Sequence, residues 1–409
     1  MKTKAMKKPI YDRIFIILFY FLPLHFSYST ELETLILSLH SSDWFQAQAK
    51  QSKAIVNAIA RDLPTQSWEI NLGRETQPGN ITEDFVSLQR EFNSSWLQRV
   101  YREQSTLDAK LQELDYSRQI QIKEMDVSKL FYDALRIQEE LELRVSYIKA
   151  LNDMLQKLEF RIRQGMGSVY DLNRLKQQQA LENQAIQTLE ASLIAYKVQL
   201  QNLCLYEHEI RSLEGSLLPN WSEVIQNDQI NKLHSHFGLS RASLEIARLE
   251  QNRKELENKF FKNYTLEFGT KRISEPNLKG SGSVVGMSAP FPLSDSDKRK
   301  RDKYQLMTQF QLSELNQQKS YLTARLRALS QLIIKTIQQS KDQQKVLIQS
   351  AGDLQKTREQ AYQNGVGSLA DLLDTRRHLL ESHLQAQETK FKARQSWLEF
   401  KAVLIGVEP

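Results

Sequence analysis

A single cysteine, Cys204, stands in 409 residues. That excludes an intramolecular disulfide and any cysteine-built zinc cluster. The expected place for Cys204 is a small apolar position in a helix interface. Proline and glycine are also scarce, at 9 and 14. Neither occurs from Ile81 to Gln164, from Ser168 to Glu214, from Leu293 to Ala351 or from Ser368 to Ile405. The sequence holds no Gly-rich phosphate loop and no HExxH, GxSxG or CxxC, so an enzyme is not expected, and no cofactor or metal is called for. His234 and His236, in "HSHF", are candidate metal ligands by spacing, with surface polar residues as the simpler reading.

The one strongly apolar run is short. "IFIILFYFLPLHF", from Ile14 to Phe26, follows Lys2, Lys4, Lys7, Lys8 and Arg13 and precedes the small residues Ser27 and Ser29. It is too short for a spanning helix. Residues 1–29 therefore read as a signal peptide, with an uncleaved anchor as the alternative. No cysteine follows to carry a lipid. Without this leader, 50 basic residues face 48 acidic ones. The formal charge of +6 is thus partly the leader's, and nucleic-acid binding loses its main support.

What fills the glycine- and proline-free stretches is Gln, Leu, Lys, Glu and Ala, all good helix formers. Trp96 to Gln164 alone would make a helix roughly 100 Å long. Apolar residues three and four apart form a narrow stripe, which must bury itself as a seam between neighbouring helices. Two short regions break this pattern. Ser67 to Glu75 and Asn263 to Arg272 alternate large and polar residues, as do Glu83 to Phe92 and Gly282 to Phe291. With loops at Thr76 to Asn80 and Ile273 to Ser281, they read as β-hairpins over 67–92 and 263–291.

The chain repeats itself. "GMGSVYDL", from Gly165, and "GVGSLADL", from Gly365, share one frame 200 residues apart. Ile70 to Gly73 and Leu266 to Gly269 match 196 residues apart. A first repeat spans 30–215, with a short helix, hairpin 67–92 and helices 96–164 and 168–214. A second spans 216–409, with helices, hairpin 263–291 and helices 294–364 and 368–405. The fold class is mainly α with a small β part. Four strands cannot close a membrane barrel, which needs about eight, and open edges are not tolerated in lipid. Three chains would supply twelve strands above a tube of long helices.

Those two turns with their flanking helices, and "VVGMSAPFPLSDSDKRKR", resemble the TolC family of outer membrane efflux proteins across residues 30–409. The strand ending "PFPL" is similar to members serving heavy-metal exporters. The resemblance implies a homotrimer: a trimeric α-barrel crossing the periplasm, carrying a 12-stranded transmembrane β-barrel in the outer membrane of a Gram-negative bacterium. It implies a passive channel-tunnel that docks with a periplasmic adaptor protein and an inner-membrane pump. The competing reading is a soluble periplasmic coiled-coil adaptor or scaffold with aqueous hairpins.

The resemblance also assigns roles. Gly165, Gly167, Ser168, Gly365, Gly367 and Ser368 form the helix-hairpin tips that dock the adaptor. Glycine permits the reversal, and each serine precedes Asp171 or Asp371 by three residues, as in a capping box. Asp371 and Asp374 match paired aspartates ringing the pore constriction, and their spacing puts them on one helical face. Asp171 and Tyr362 match residues whose hydrogen bonds tie the tip shut, although Asp171 also reads as a plain cap. One family member carries an arginine in the second tip where this chain has Gly367, so that lock is incomplete here unless Arg376 or Arg377 substitutes. The basic run Lys298 to Arg301 reads as a solvated collar, and Trp68 and Trp96 as interfacial anchors.

Overall fold

The structure, a computed structural model, describes residues 29–61, 67–78, 81–220, 232–256, 263–275, 278–289, 296–364 and 366–407. The leader, Pro290 to Asp295 and Gly365 lie outside the described residues. The chain runs β1 (Ser29–Glu31), α1 (Leu32–Ser41), α2 (Asp43–Arg61), β2 (Trp68–Gln77), β3 (Ile81–Asn93), α3 (Ser95–Arg163) and α4 (Val169–Cys204). It continues with β4 (Ser212–Glu214), α5 (Phe237–Glu255), β5 (Asn263–Glu275), β6 (Leu278–Ser288), α6 (Ser296–Gln343), α7 (Gln349–Gln363) and α8 (Leu369–Ile405).

Helix α3 holds 69 residues, roughly 100 Å of unbroken helix. Ser94 starts it by accepting from the Leu97 amide at 3.3 Å. No thick core supports these helices. They pair by seams: α3 with α4, and α8 with α3, α6 and α7. In α6 the buried apolar side chains are Leu322, Leu326, Leu329, Ile333 and Ile337. Their steps of four and three are a heptad seam, and they close on Ala393, Trp397 and Phe400 of α8. Near the far ends of the helices, Leu151, Met154 and Leu158 meet Leu175, Leu369, Leu372 and Leu373. Across α3 and α4, Arg144 bonds Glu140 and the buried Glu182, each at 3.0 Å.

Three expected elements differ. The helix expected over 168–214 stops at Cys204, where Leu205 turns left-handed at φ 50° and donates to the Gln201 carbonyl. The chain then forms β4, which pairs in parallel with β1. That pairing satisfies backbone groups a continuing helix would have satisfied itself. The helix expected over 294–364 is interrupted by a π turn, Gln344–Ile348. The extra residue in that turn shifts the apolar seam, and α7 beyond it buries no side chain. Finally, Ile273 to Ser281, expected as loop, is strand except for residues 276–277, which lie outside the described residues, and the second hairpin ends at Ser288. Ladder bonds along β5 and β6 extend the pairing into a stretch with few β-branched residues.

The four longer strands make one antiparallel sheet ordered β2-β3-β5-β6. The two hairpins therefore join side by side through β3 and β5. Alternate residues point to opposite faces. One face carries the rows Trp68–Arg90–Leu266–Met287, Ile70–Leu88–Phe268–Val285 and Leu72–Val86–Thr270–Ser283. These apolar side chains are open: Ile70 is 68%, Leu72 72% and Val285 75% exposed. The other face is rich in glutamate, with Glu69, Glu75, Glu83, Glu91 and Glu267, and also carries Phe85, Ile273 and Val284. There Lys271 pairs with Glu83, and Asn71 donates to Gln89 at 2.7 Å.

Candidate functional site

The two helix-hairpin tips are built alike. At the first, Gln164 ends α3 and Gly165 takes φ +76°. The Gly165 amide donates to the Ile162 carbonyl and the Met166 amide to the Arg161 carbonyl, both at 2.9 Å. This paired closure is a Schellman motif, and it requires the left-handed residue in the middle. Gly167 follows because the chain doubles back: a Cβ there would lie 2.5 Å from the Ile162 side chain and 2.9 Å from its backbone nitrogen. At the second tip the Val366 amide donates to the Ala361 carbonyl at 3.0 Å, the equivalent long closure. Gly367 approaches the Tyr362 backbone in the same manner.

Each tip then starts a helix the same way. Ser168 Oγ accepts from the Asp171 amide at 3.3 Å, and Ser368 Oγ from the Asp371 amide at 3.1 Å. Exposed apolar side chains crown the tips, with Met166 and Tyr170 at the first and Val366 at the second.

Asp371 and Asp374 lie on the exposed face of α8, opposite the buried Leu372 and Leu373. Asp374 is not alone: Arg174 Nη2 of α4 lies 3.8 Å from its Oδ1. Arg174 was missed in the sequence reading, yet the 200-residue repeat makes it the counterpart of Asp374, just as Asp171 is of Asp371. Asp171 is half-buried. Tyr362 packs on the tip core with its ring 5.3 Å from the Arg161 guanidinium. Among the described residues no hydrogen bond joins it to Asp171.

Neither arginine considered as a substitute for the missing lock is free in this chain. Arg376 is buried and donates from Nη2 to Glu359 at 3.2 Å. Arg377 pairs with Glu381 at 3.4 Å on its own helix. Beneath them Tyr147 of α3 is buried, and its hydroxyl has no partner among the described residues. Burial first, then the Glu182 carboxylate, pushes its phenol up to about 12.

Of the histidine pair, only the His236 side chain is described. His236 is buried and caps α5, its Nδ1 accepting from the Leu239 amide at 3.2 Å. The side chain of His234 lies outside the described residues. Among the described residues no group of three or more His, Cys, Asp or Glu gathers to hold a metal. No described helix is long and apolar enough to cross a membrane.

Long seamed helices ending in capped turns, joined to a four-stranded sheet with one largely apolar face, define the architecture. The comparisons name it more narrowly: the fold is that of TolC-type outer membrane channels. CusC, solved in a study of its folding and transmembrane channel formation, superposes with a TM-score of 0.70 at 13% identity, covering 92% of each chain. The outer membrane protein VceC of Vibrio cholerae gives 0.66 at 12% identity over 91% of this chain and 95% of its own. The MtrE outer membrane channel of Neisseria gonorrhoeae, in its open state, gives 0.61 at 13% identity over 92% and 89%. These neighbours are outer membrane channels, not enzymes. No protein-family model matches the sequence, and comparison with curated proteins gives no match.

Proposed function

We propose that this chain is the outer membrane component of a tripartite efflux or secretion system. Three copies pool their sheets into a closed barrel of twelve strands, and their helices form a tunnel through the periplasm. The carrying observation is the sheet itself. It has four strands, open edges at β2 and β6, and a face of exposed apolar side chains. In lipid such edges must be paired, and threefold closure pairs them with an even strand number. A soluble adaptor or scaffold has no use for that apolar face in water.

In this reading the tandem repeats 30–215 and 216–409 each supply one hairpin of strands and one hairpin of helices. The residues of the tips, Gly165 to Ser168 and Gly365 to Ser368, meet a periplasmic adaptor, which couples the tunnel to an inner-membrane pump. Conduction is passive, since energy comes from the pump. Asp371 and Asp374, repeated three times about the axis, form a cation-attracting constriction. Asp171 and Tyr362 are the candidates for closing it. The resemblance carried by "PFPL", Pro290 to Leu293, favours metal ions as a substrate class.

Purification tests this reading. The protein is expected in outer-membrane fractions as a detergent-stable trimer that forms conducting pores in planar bilayers. A monodisperse monomer, in detergent or in buffer, refutes it.

A further inference from the structure

Beyond the three apolar rows, the same face of the sheet changes character. The next row is Arg74–Asp84–Arg272–Ser281, and the one after it Thr76–Thr82–Ser274–Lys279. These rows lie at the hairpin-turn end, away from the helices. At the opposite end of the face Trp68 stands in the row of Arg90, and the next row out pairs Phe92 with Tyr264, stacked at 5.5 Å.

The spacing sets the depth. Arg74 lies six residues along β2 from Trp68, about 20 Å of strand. At a tilt near 40° this is roughly 15 Å of membrane height. A typical apolar band is about 25 Å tall. The Phe92–Tyr264 row lies two residues further from the arginine row than Trp68 does. With it at one interface the arginine row stands roughly 20 Å up, about 5 Å beneath the opposite headgroups, where long side chains reach up to polar groups. An outer membrane, thinner than average, brings the headgroups closer still.

Charge decides what those arginines meet. Asp84 is matched by Arg74, which donates from Nε at 2.6 Å and from Nη2 at 3.3 Å. Arg272 is the cross-strand neighbour of Asp84 on the other side. It is exposed and makes no hydrogen bond among the described residues. With Lys279 one row further out, the cluster carries a surplus of positive charge at the turn end of a face whose middle rows are largely apolar. Phosphate is the anion that guanidinium groups chelate with two parallel bonds. Arg74 and Arg272 are separated by two strand spacings, about 10 Å, so they present two points of attachment.

We propose that Arg74, Arg272 and Lys279 form a binding site for the phosphorylated glycolipid of the outer leaflet, one site per protomer, with Asp84 holding Arg74 in place. The proposal rests on the membrane-barrel reading above. The opposite face, which lines the lumen in that reading, carries more carboxylates than cations, and its Lys271 is paired with Glu83.

The trimer is reconstituted into phosphatidylcholine nanodiscs doped with bisphosphorylated lipid A, with dephosphorylated lipid A, or with phosphatidylglycerol. Lipid retained per trimer is read by native mass spectrometry. Bisphosphorylated lipid A is expected to bind about tenfold more tightly than either other lipid. The combined substitution Arg74→Gln, Asp84→Asn and Arg272→Gln, neutral throughout, is expected to remove that preference, and Arg74→Lys with Arg272→Lys to keep part of it. Equal retention by wild type and the neutral variant overturns the proposal, as does phosphatidylglycerol binding as tightly as lipid A. Wild-type protein that fails to enter the nanodiscs as a trimer overturns the membrane-barrel reading itself. Insertion with unchanged lipid preference leaves that reading standing and removes only the lipid site.

Discussion

Arg174 on α4 and Asp374 on α8 occupy equivalent positions in the two repeats and lie 3.8 Å apart. Duplication placed an aspartate at 171 and 371 alike, but opposite charges three residues later. The pair is half-exposed, with side chains 41% and 52% accessible, so it contributes at most about 1 kcal/mol to stability. Its larger effect is on charge: one of the two carboxylates assigned to the constriction is already neutralised by its neighbour helix.

Two substitutions are therefore expected to act in opposite directions. Asp371→Ala combined with Asp374→Ala should lower cation selectivity in planar bilayers and weaken block by a trivalent cation. Arg174→Ala should free Asp374 and strengthen both. Thermal stability should stay within about 1 kcal/mol in each case. Unchanged selectivity in both variants would mean that Asp371 only caps its helix and Asp374 faces solvent.

Gly165→Val forces a β-branched residue to φ +76°, at a cost of about 1–2 kcal/mol or more. Gly167→Ala drives a Cβ into the Ile162 backbone. Both should distort the first tip locally and abolish efflux in cells. The proposed trimer, closed by strands far from the tip, should assemble normally on a native gel. Wild-type efflux in both variants would dissociate the tips from docking.

Tyr147 supplies a pH signature. Its folded-state pKa, about 12, lies above the ordinary 10.0. From pH 10 to 12 the unfolded chain has released a proton that the folded chain retains, so stability falls with rising pH in that window. Tyr147→Phe should remove this fall and, by deleting an orphaned hydroxyl, raise stability by about 1 kcal/mol at neutral pH. Denaturation midpoints against pH, for wild type and variant, measure both.

Cys204 is fully buried in the core formed by α1, α3 and α4, and burial pushes its thiol from 9.0 up to about 11. That leaves roughly a hundredfold less thiolate at neutral pH. The native protein should resist a thiol-reactive dye that labels it at once in denaturant. Fast labelling of the native protein would place the cysteine outside the core.

Much of this architecture was legible because its signals are local. Period-two alternation marked Ile70, Leu72, Val86 and Leu88 as one face of a hairpin. Ser168 and Ser368 announced helix starts three residues before their aspartates, and glycines at 165 and 167 marked a reversal. All these rest on interactions within a few residues along the chain, which composition and spacing express directly. The break after Cys204 was not legible, because Leu205 carries no stop signal and the strand that follows needs β1 as a partner. The π turn at Gln344–Ile348 was equally silent in a stretch without glycine or proline.

The sequence by itself determined the repeated turns, the unbroken length of α3, the alternation of the strands and the tight reversal at the tips. Only the tertiary structure decided which helix faces meet. Arg174 finds Asp374, Arg376 sinks against Glu359 instead of completing a lock, and Tyr147 is buried without a partner. The physical reason is rotational. A side chain's direction on a helix of 3.6 residues per turn is known only relative to its own neighbours. Which direction is inward depends on how the seams of several helices register against one another, and no single helix carries that information.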